Sequence, residues 1–189
     1  MTNSYASHHA CSCKEERHDC RRVVLTGGPG AGKTAILEIA RRNFCEHIAI
    51  LPEAAGIIFS GGFWRHDTVP ARKAAQRAIY YVQRESERLV EGERNSAIAL
   101  CDRGTLDSLA YWPETEARFW EEIGSTREKE FSRYSAIIHL RTPPLERGYN
   151  NQNPIRIETA KQALAIAYIR AELPECCRGH KIEELGSSG

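Results

Sequence analysis

At 189 residues the chain has room for one ordinary domain and a tail, and too little for two enzymatic domains. Its 41% apolar and 27% charged residues suit a soluble globular protein and argue against a disordered, fibrous or membrane class. With 26 Lys and Arg against 25 Asp and Glu, the formal charge is +1, so no whole-chain pull toward nucleic acid or anionic lipid exists and any anion binding has to be local.

No stretch approaches the roughly 18–20 uninterrupted apolar residues of a membrane helix, and the N-terminus lacks the apolar middle of a secretory signal, so a cytoplasmic address is expected. Seven cysteines, an odd number without framework spacing, read as reduced thiols. Residues 1–20 are polar, with His8, His9, Cys11, Cys13, His18 and Cys20 crowded together. A flexible tail is the expected reading. A soft-metal site is the other, although Cys-x-Cys followed by a lone Cys lacks the doubled Cys-x-x-Cys of a zinc site. The remaining 21–189 read as one domain.

In chain order, Val23-Val24-Leu25-Thr26 reads as a buried parallel strand that runs into a glycine turn, and 34–44 as a helix with Ile36, Leu37, Ile39 and Ala40 on one face. Apolar runs at 48–51, 97–101 and 136–140 read as further buried strands. Residues 70–91 read as a long helix, with Pro70 at its start, Gly92 beyond its end, and Ala74, Ala78, Tyr81, Val82 and Leu89 inward. A second helical region covers 114–134 with a break at Gly124. A third runs over 157–173, stopped by Pro174, and 181–185 is a candidate last strand. Strands alternating with helices predict an α/β fold of three layers, a mostly parallel sheet covered on both faces.

Gly27-Gly28-Pro29-Gly30-Ala31-Gly32-Lys33-Thr34 matches G-x-x-x-x-G-K-[ST] in full, and it lies between a predicted strand and a predicted helix. Glycines let successive backbone N–H groups point at phosphate oxygens, and the helix adds the partial positive charge of its N-terminus. Lys33 is placed to reach the β- and γ-phosphates of ATP, and Thr34 to ligate Mg²⁺. Asp102 and Arg103 follow a strand, at the edge where open α/β sheets bind ligands, with Asp102 toward the metal and Arg103 toward the transferred phosphate.

Glu53 follows the second strand on the same edge. It reads equally as a base for an attacking hydroxyl and as a helix first-turn glutamate. Ser60-Gly61-Gly62-Phe63-Trp64-Arg65 reads as a substrate-covering loop or, by preference, as an aromatic anchor into the core. Gln76 and Gln83 share one helix face, toward a base or toward solvent. Residues 141–156 read as a lid bringing Arg147 or Arg156 to the phosphates, or as an ordinary loop whose arginines pair with surface acids.

With these residues in view, 22–180 resembles the small ATP-binding P-loop proteins classed as AAA, a group related to the ribosylnicotinamide kinase domain and, more distantly, to deoxynucleoside and thymidylate kinases. The likeness rests on the phosphate loop, Pro52-Glu53-Ala54-Ala55, Gly61-Gly62-Phe63, the helix at 76–87, Asp102-Arg103-Gly104 with Asp107, Tyr134, and 141–158. It implies a nucleoside-kinase type of P-loop fold, Glu53 as base toward a sugar hydroxyl, Asp102 and Arg103 serving magnesium and substrate phosphate, and Arg156 clamping the donor phosphates. Asp-Arg-Gly stands where deoxynucleoside kinases have Glu-Arg-Ser, and the features of ring motors are missing. The expected function is Mg-ATP binding with γ-phosphoryl transfer to a small nucleoside- or nucleotide-type acceptor. The alternative is a nucleotide-dependent switch or regulatory ATPase that acts through a protein partner.

Overall fold

The computed structural model describes residues 17–28 and 30–140. Four strands, β1 (Arg21–Gly27), β2 (Ile48–Leu51), β3 (Ile98–Asp102) and β4 (Ala136–Leu140), form one sheet in the order β2-β3-β1-β4. Every pairing is parallel; Val23, for example, lies opposite Leu100 on one side and Ala136 on the other. All strands therefore end on the same edge, which gathers Gly27, Leu51, Asp102 and Leu140.

Side chains alternate across the sheet, and the two faces build separate cores. Val23, Leu25, Ile98, Leu100 and Leu140 pack with Ile36, Leu37, Ala40 and Phe44 of α1 (Lys33–Asn43) and its end. Val24, Ala99 and Cys101 face the other way, with Leu51 and Tyr134. Val90, from α3 (Val69–Glu93), joins this second core, so helices cover both faces as expected. A third cluster, Tyr80, Trp112, Phe119 and Ile123, joins α3 to α5 (Glu116–Ile123) through edge-on aromatic contacts.

Threonine hydroxyls cap three helices by accepting from first-turn N–H groups: Thr68 for α3, Thr115 for α5 and Thr126 for α6 (Arg127–Phe131). The break expected at Gly124 is its left-handed cap of α5, φ 64°. Two short helices were not anticipated, α2 (Ala54–Ser60) and α4 (Asp107–Ala110), each too brief to display a helical period. Gly92 does not end α3; the helix runs through it to Glu93, and Arg94 supplies the left-handed cap.

The inner face of α3 also differs from expectation. Tyr81 and Leu89 are exposed, at 48% and 61%, while Ala75, Tyr80, Gln83 and Glu87 are buried. The burial is rotated about one residue, because Gln83 and Glu87 are committed to a buried polar cluster described below. Within the expected tail, His18 is buried, and its N–H donates to Arg94 O at 2.8 Å. His8, His9, Cys11 and Cys13, Pro29, and the expected lid, helix and strand of 141–189 lie outside the described residues.

Candidate functional site

β1 delivers the phosphate loop. Gly27 sits against Leu140 of β4 so closely that a Cβ would lie 2.2 Å from Leu140 O, and its φ is 139°. Any side chain there meets both a strained backbone and a carbonyl that cannot yield. Gly27→Ala is expected to cost roughly 3 kcal/mol or more of stability, read as a lowered denaturant midpoint with an unchanged m-value.

The loop closes on Gly32, φ 94°, the N-cap of α1. The cap has no side chain to satisfy the first-turn N–H groups, and that turn holds no acidic residue, so the positive end of the helix stays available to an anion. Lys33 Nζ folds back over the loop and donates to Gly27 O (2.8 Å) and Gly28 O (3.2 Å). Burial, then the nearby Arg103 charge, lower the Lys33 pKa, while Asp102, Glu53 and Asp107 work to raise it. Ala31 N donates to Gly28 O at 3.3 Å within the turn, Gly30 has a positive φ of 72°, and Thr34 is exposed in the first turn of α1.

β3 delivers the second half. Burial, then the Glu53 charge, raise the Asp102 pKa against the pull of Lys33 and Arg103. Asp102 Oδ1 is buried with no hydrogen-bond partner. Arg103 follows in the left-handed region at φ 72°, a conformation costing a non-glycine residue roughly 1–3 kcal/mol. Its N–H donates to Leu25 O at 2.9 Å, which ties the turn to β1. Its Nε lies 2.6 Å from Glu53 Oε1, an ion pair whose N–H is not aligned on the oxygen, and its Nη1 lies 3.2 Å from Asp107 Oδ1. Burial opposes the Arg103 charge, and Glu53 and Asp107 outweigh it to raise the pKa.

Asp107, first residue of α4, is the residue that reasoning from single positions undervalued. It accepts from Thr26 Oγ1 (2.6 Å) and Arg103 Nη1 on one oxygen and from Gly104 N (2.8 Å) on the other. The i, i+4 spacing of Arg103 and Asp107 was its available signal.

Glu53 and Arg103 stand at the wall of an open cavity of about 740 Å³ between α2, the 61–68 loop and α3. Phe59, Trp64 and Tyr111 add aromatic surface, and Arg65, His66 and Arg72 add nitrogen donors. Gln76 also lines it, with Oε1 buried and unpartnered. Gln83 does not share that placement: it is buried and donates to Glu87 Oε1 at 2.8 Å. Nor is Trp64 a core anchor; it is 78% exposed over the cavity, because the glycine pair carries the loop away from the sheet.

The structure thus brings Lys33, Glu53, Asp102 and Arg103 into one charged cluster at the carboxyl edge. Arg147 and Arg156 lie outside the described residues. Among those described, no three His, Cys, Asp or Glu side chains converge as metal ligands, and no helix is long and apolar enough to cross a membrane.

Residues 22–187 match the family model of an AAA domain. The chain belongs to that AAA-domain family. With the complete phosphate loop between β1 and α1, this AAA domain is a P-loop nucleotide-binding protein. Among solved structures it is similar to a cysteine-to-alanine mutant of the Mycobacterium tuberculosis APS kinase CysC, at 11% identity and a TM-score of 0.36 over 82% of this chain and 96% of that one. No curated protein matches it.

Proposed function

We propose that this AAA domain is a Mg-ATP-dependent small-molecule kinase that moves the γ-phosphoryl group to a hydroxyl of a nucleoside- or nucleotide-type acceptor. The observation that carries the reading is Glu53. Its carboxylate borders both the cavity and, through Arg103, the charged cluster that contains Lys33 and Asp102.

The residues present suit the nucleotide and its metal. The N–H groups of Gly28, Gly30, Ala31 and Gly32, the open N-terminus of α1 and Lys33 offer donors to a polyphosphate bound along 27–32, where Pro29 contributes no N–H. Thr34 and the orphaned oxygen of Asp102 would hold Mg²⁺, which commonly takes only one or two protein ligands beside phosphate and water. When bound, the ion neutralises charge on the phosphates.

Lys33 would exchange its two carbonyl partners for phosphate oxygens. Glu53 takes the proton of the acceptor hydroxyl as that oxygen attacks, and Arg103 orients Glu53 while its charge faces the phosphoryl group. Aromatic surface at Phe59, Trp64 and Tyr111 suits a flat ring, and Gln76 Oε1 awaits a donor from it. Arg147 and Arg156 are proposed as the lid cations that clamp the donor phosphates.

The test is a screen of nucleosides, ribosylnicotinamide and monophosphates for acceptor-dependent ATP consumption. Glu53→Gln is expected to lower the stimulated rate about 10²- to 10⁴-fold while MgATP binding persists. ATP turnover indifferent to every acceptor, with Glu53→Gln unchanged, would make the protein a nucleotide switch instead.

A further inference from the structure

Arg103 holds a backbone conformation that needs outside support, and the support comes from a buried cluster with no part in binding phosphate. Two residues after it, Thr105 is almost fully buried and held through both its N–H and its hydroxyl. Its N–H donates to the Tyr134 hydroxyl at 2.9 Å, and its Oγ1 donates to Glu130 Oε2 at 2.8 Å. Tyr134 in turn donates to Glu87 Oε1 at 2.9 Å. Its ring and hydroxyl lie over Gly104, where an added Cβ would come within 3.2 Å of the hydroxyl oxygen.

Both carboxylates are fully buried and immobilised by other elements. Glu130 accepts from Tyr80 (2.7 Å), Arg84 (2.8 Å) and Ser125 (2.6 Å) on one oxygen and, beside Thr105, from Arg133 (2.7 Å) on the other. Arg133 also donates to Glu87. Tyr80, Arg84 and Glu87 belong to α3, whose earlier turns carry Gln76 and Ile79 along the cavity wall.

We propose that Glu87, Tyr134, Glu130 and Thr105 form a positioning device for Arg103, fixing the turn that aims its guanidinium between Glu53 and Asp107 and coupling that aim to the cavity-lining helix. A buried ionic cluster is a poor way to gain stability, since apolar side chains of similar volume commonly do as well or better. What it supplies is direction. Each donor and acceptor is matched, so Thr105 has one position, and the left-handed residue two before it is clamped between that position and Leu25 O.

The inference rests on the reading of Arg103 as the cation that faces the transferred group, and its test separates the two. Tyr134→Phe keeps the ring in its core and removes only the hydroxyl; Thr105→Val removes the hydroxyl that donates to Glu130 and lies 3.0 Å from the Tyr134 hydroxyl. Arginine side-chain NMR, with the Arg103 Nε–H signal assigned through Arg103→Lys, reads the aim directly. In both variants Arg103 Nε–H is expected to exchange with solvent at least about ten-fold faster, while the Kd for MgATP stays within about two-fold. With an acceptor in hand, kcat falls about ten-fold at unchanged KM for MgATP, and Tyr134→Phe adds nothing further in an Arg103→Lys background.

An Arg103 signal unchanged in both variants overturns the proposal. So does a change shared by every ordered arginine together with lost MgATP binding, which would mark plain structural support. A specific Arg103 effect in a protein that phosphorylates no acceptor overturns the kinase reading and leaves the positioning device standing.

Discussion

Lys33→Ala is expected to weaken MgATP binding at least about 100-fold, because charge-assisted contacts to phosphate are worth on the order of 3 kcal/mol. Among the described residues the ammonium has no hydrogen-bond partner outside its own loop. Its two hydrogen bonds end on Gly27 O and Gly28 O, carbonyls of the loop itself. Its pKa is lowered by burial and by Arg103, so the cation sits where charge is disfavoured until an anion arrives. Thermal unfolding without nucleotide should therefore match wild type within a few degrees, and the stabilisation that MgATP gives wild type should vanish. The measurement is a fluorescent-nucleotide titration run beside melting curves with and without MgATP. Full affinity in Lys33→Ala would mean that the loop is not where the phosphates bind.

The carboxyl edge was legible in sequence because three of its residues each lie within two positions of the end of an apolar run. Gly27 follows Val23-Val24-Leu25, Glu53 follows the run at 48–51, and Asp102 follows the run at 97–101. Once those runs are strands of one parallel sheet, their ends have to meet. The orientation of α3 was not legible in the same way. Apolar periodicity points Tyr81 and Leu89 inward, yet both are exposed, because the helix is turned by polar partners that lie 47 and 50 residues away in the chain. Glu87 and Glu130 sit in strings of charged residues that read as solvated faces. Only the folded pairing with Arg133, Tyr134 and Thr105 distinguishes them from their neighbours Glu85 and Glu128.

Glu130 gives the largest expected dependence of stability on pH. Burial alone would raise its pKa, but hydrogen bonds from Ser125, Tyr80, Arg133 and Thr105 together outweigh it and hold the group down at about 2, against an ordinary 4.5. The folded state therefore binds the proton less readily than the unfolded chain. The stabilisation is fully present above pH 4.5 and is lost as pH falls toward 2. The gap corresponds to on the order of 3 kcal/mol. Glu130→Gln keeps the shape but leaves Arg84 and Arg133 facing a neutral amide, and should cost a similar amount at pH 7. Urea unfolding of wild type and variant from pH 7 down to pH 2 checks the sign. The difference between them should shrink through the acid range as the wild-type carboxylate takes up its proton. A difference that stays constant with pH would place the stabilisation in packing and hydrogen bonds that survive protonation, and not in the charge of this carboxylate.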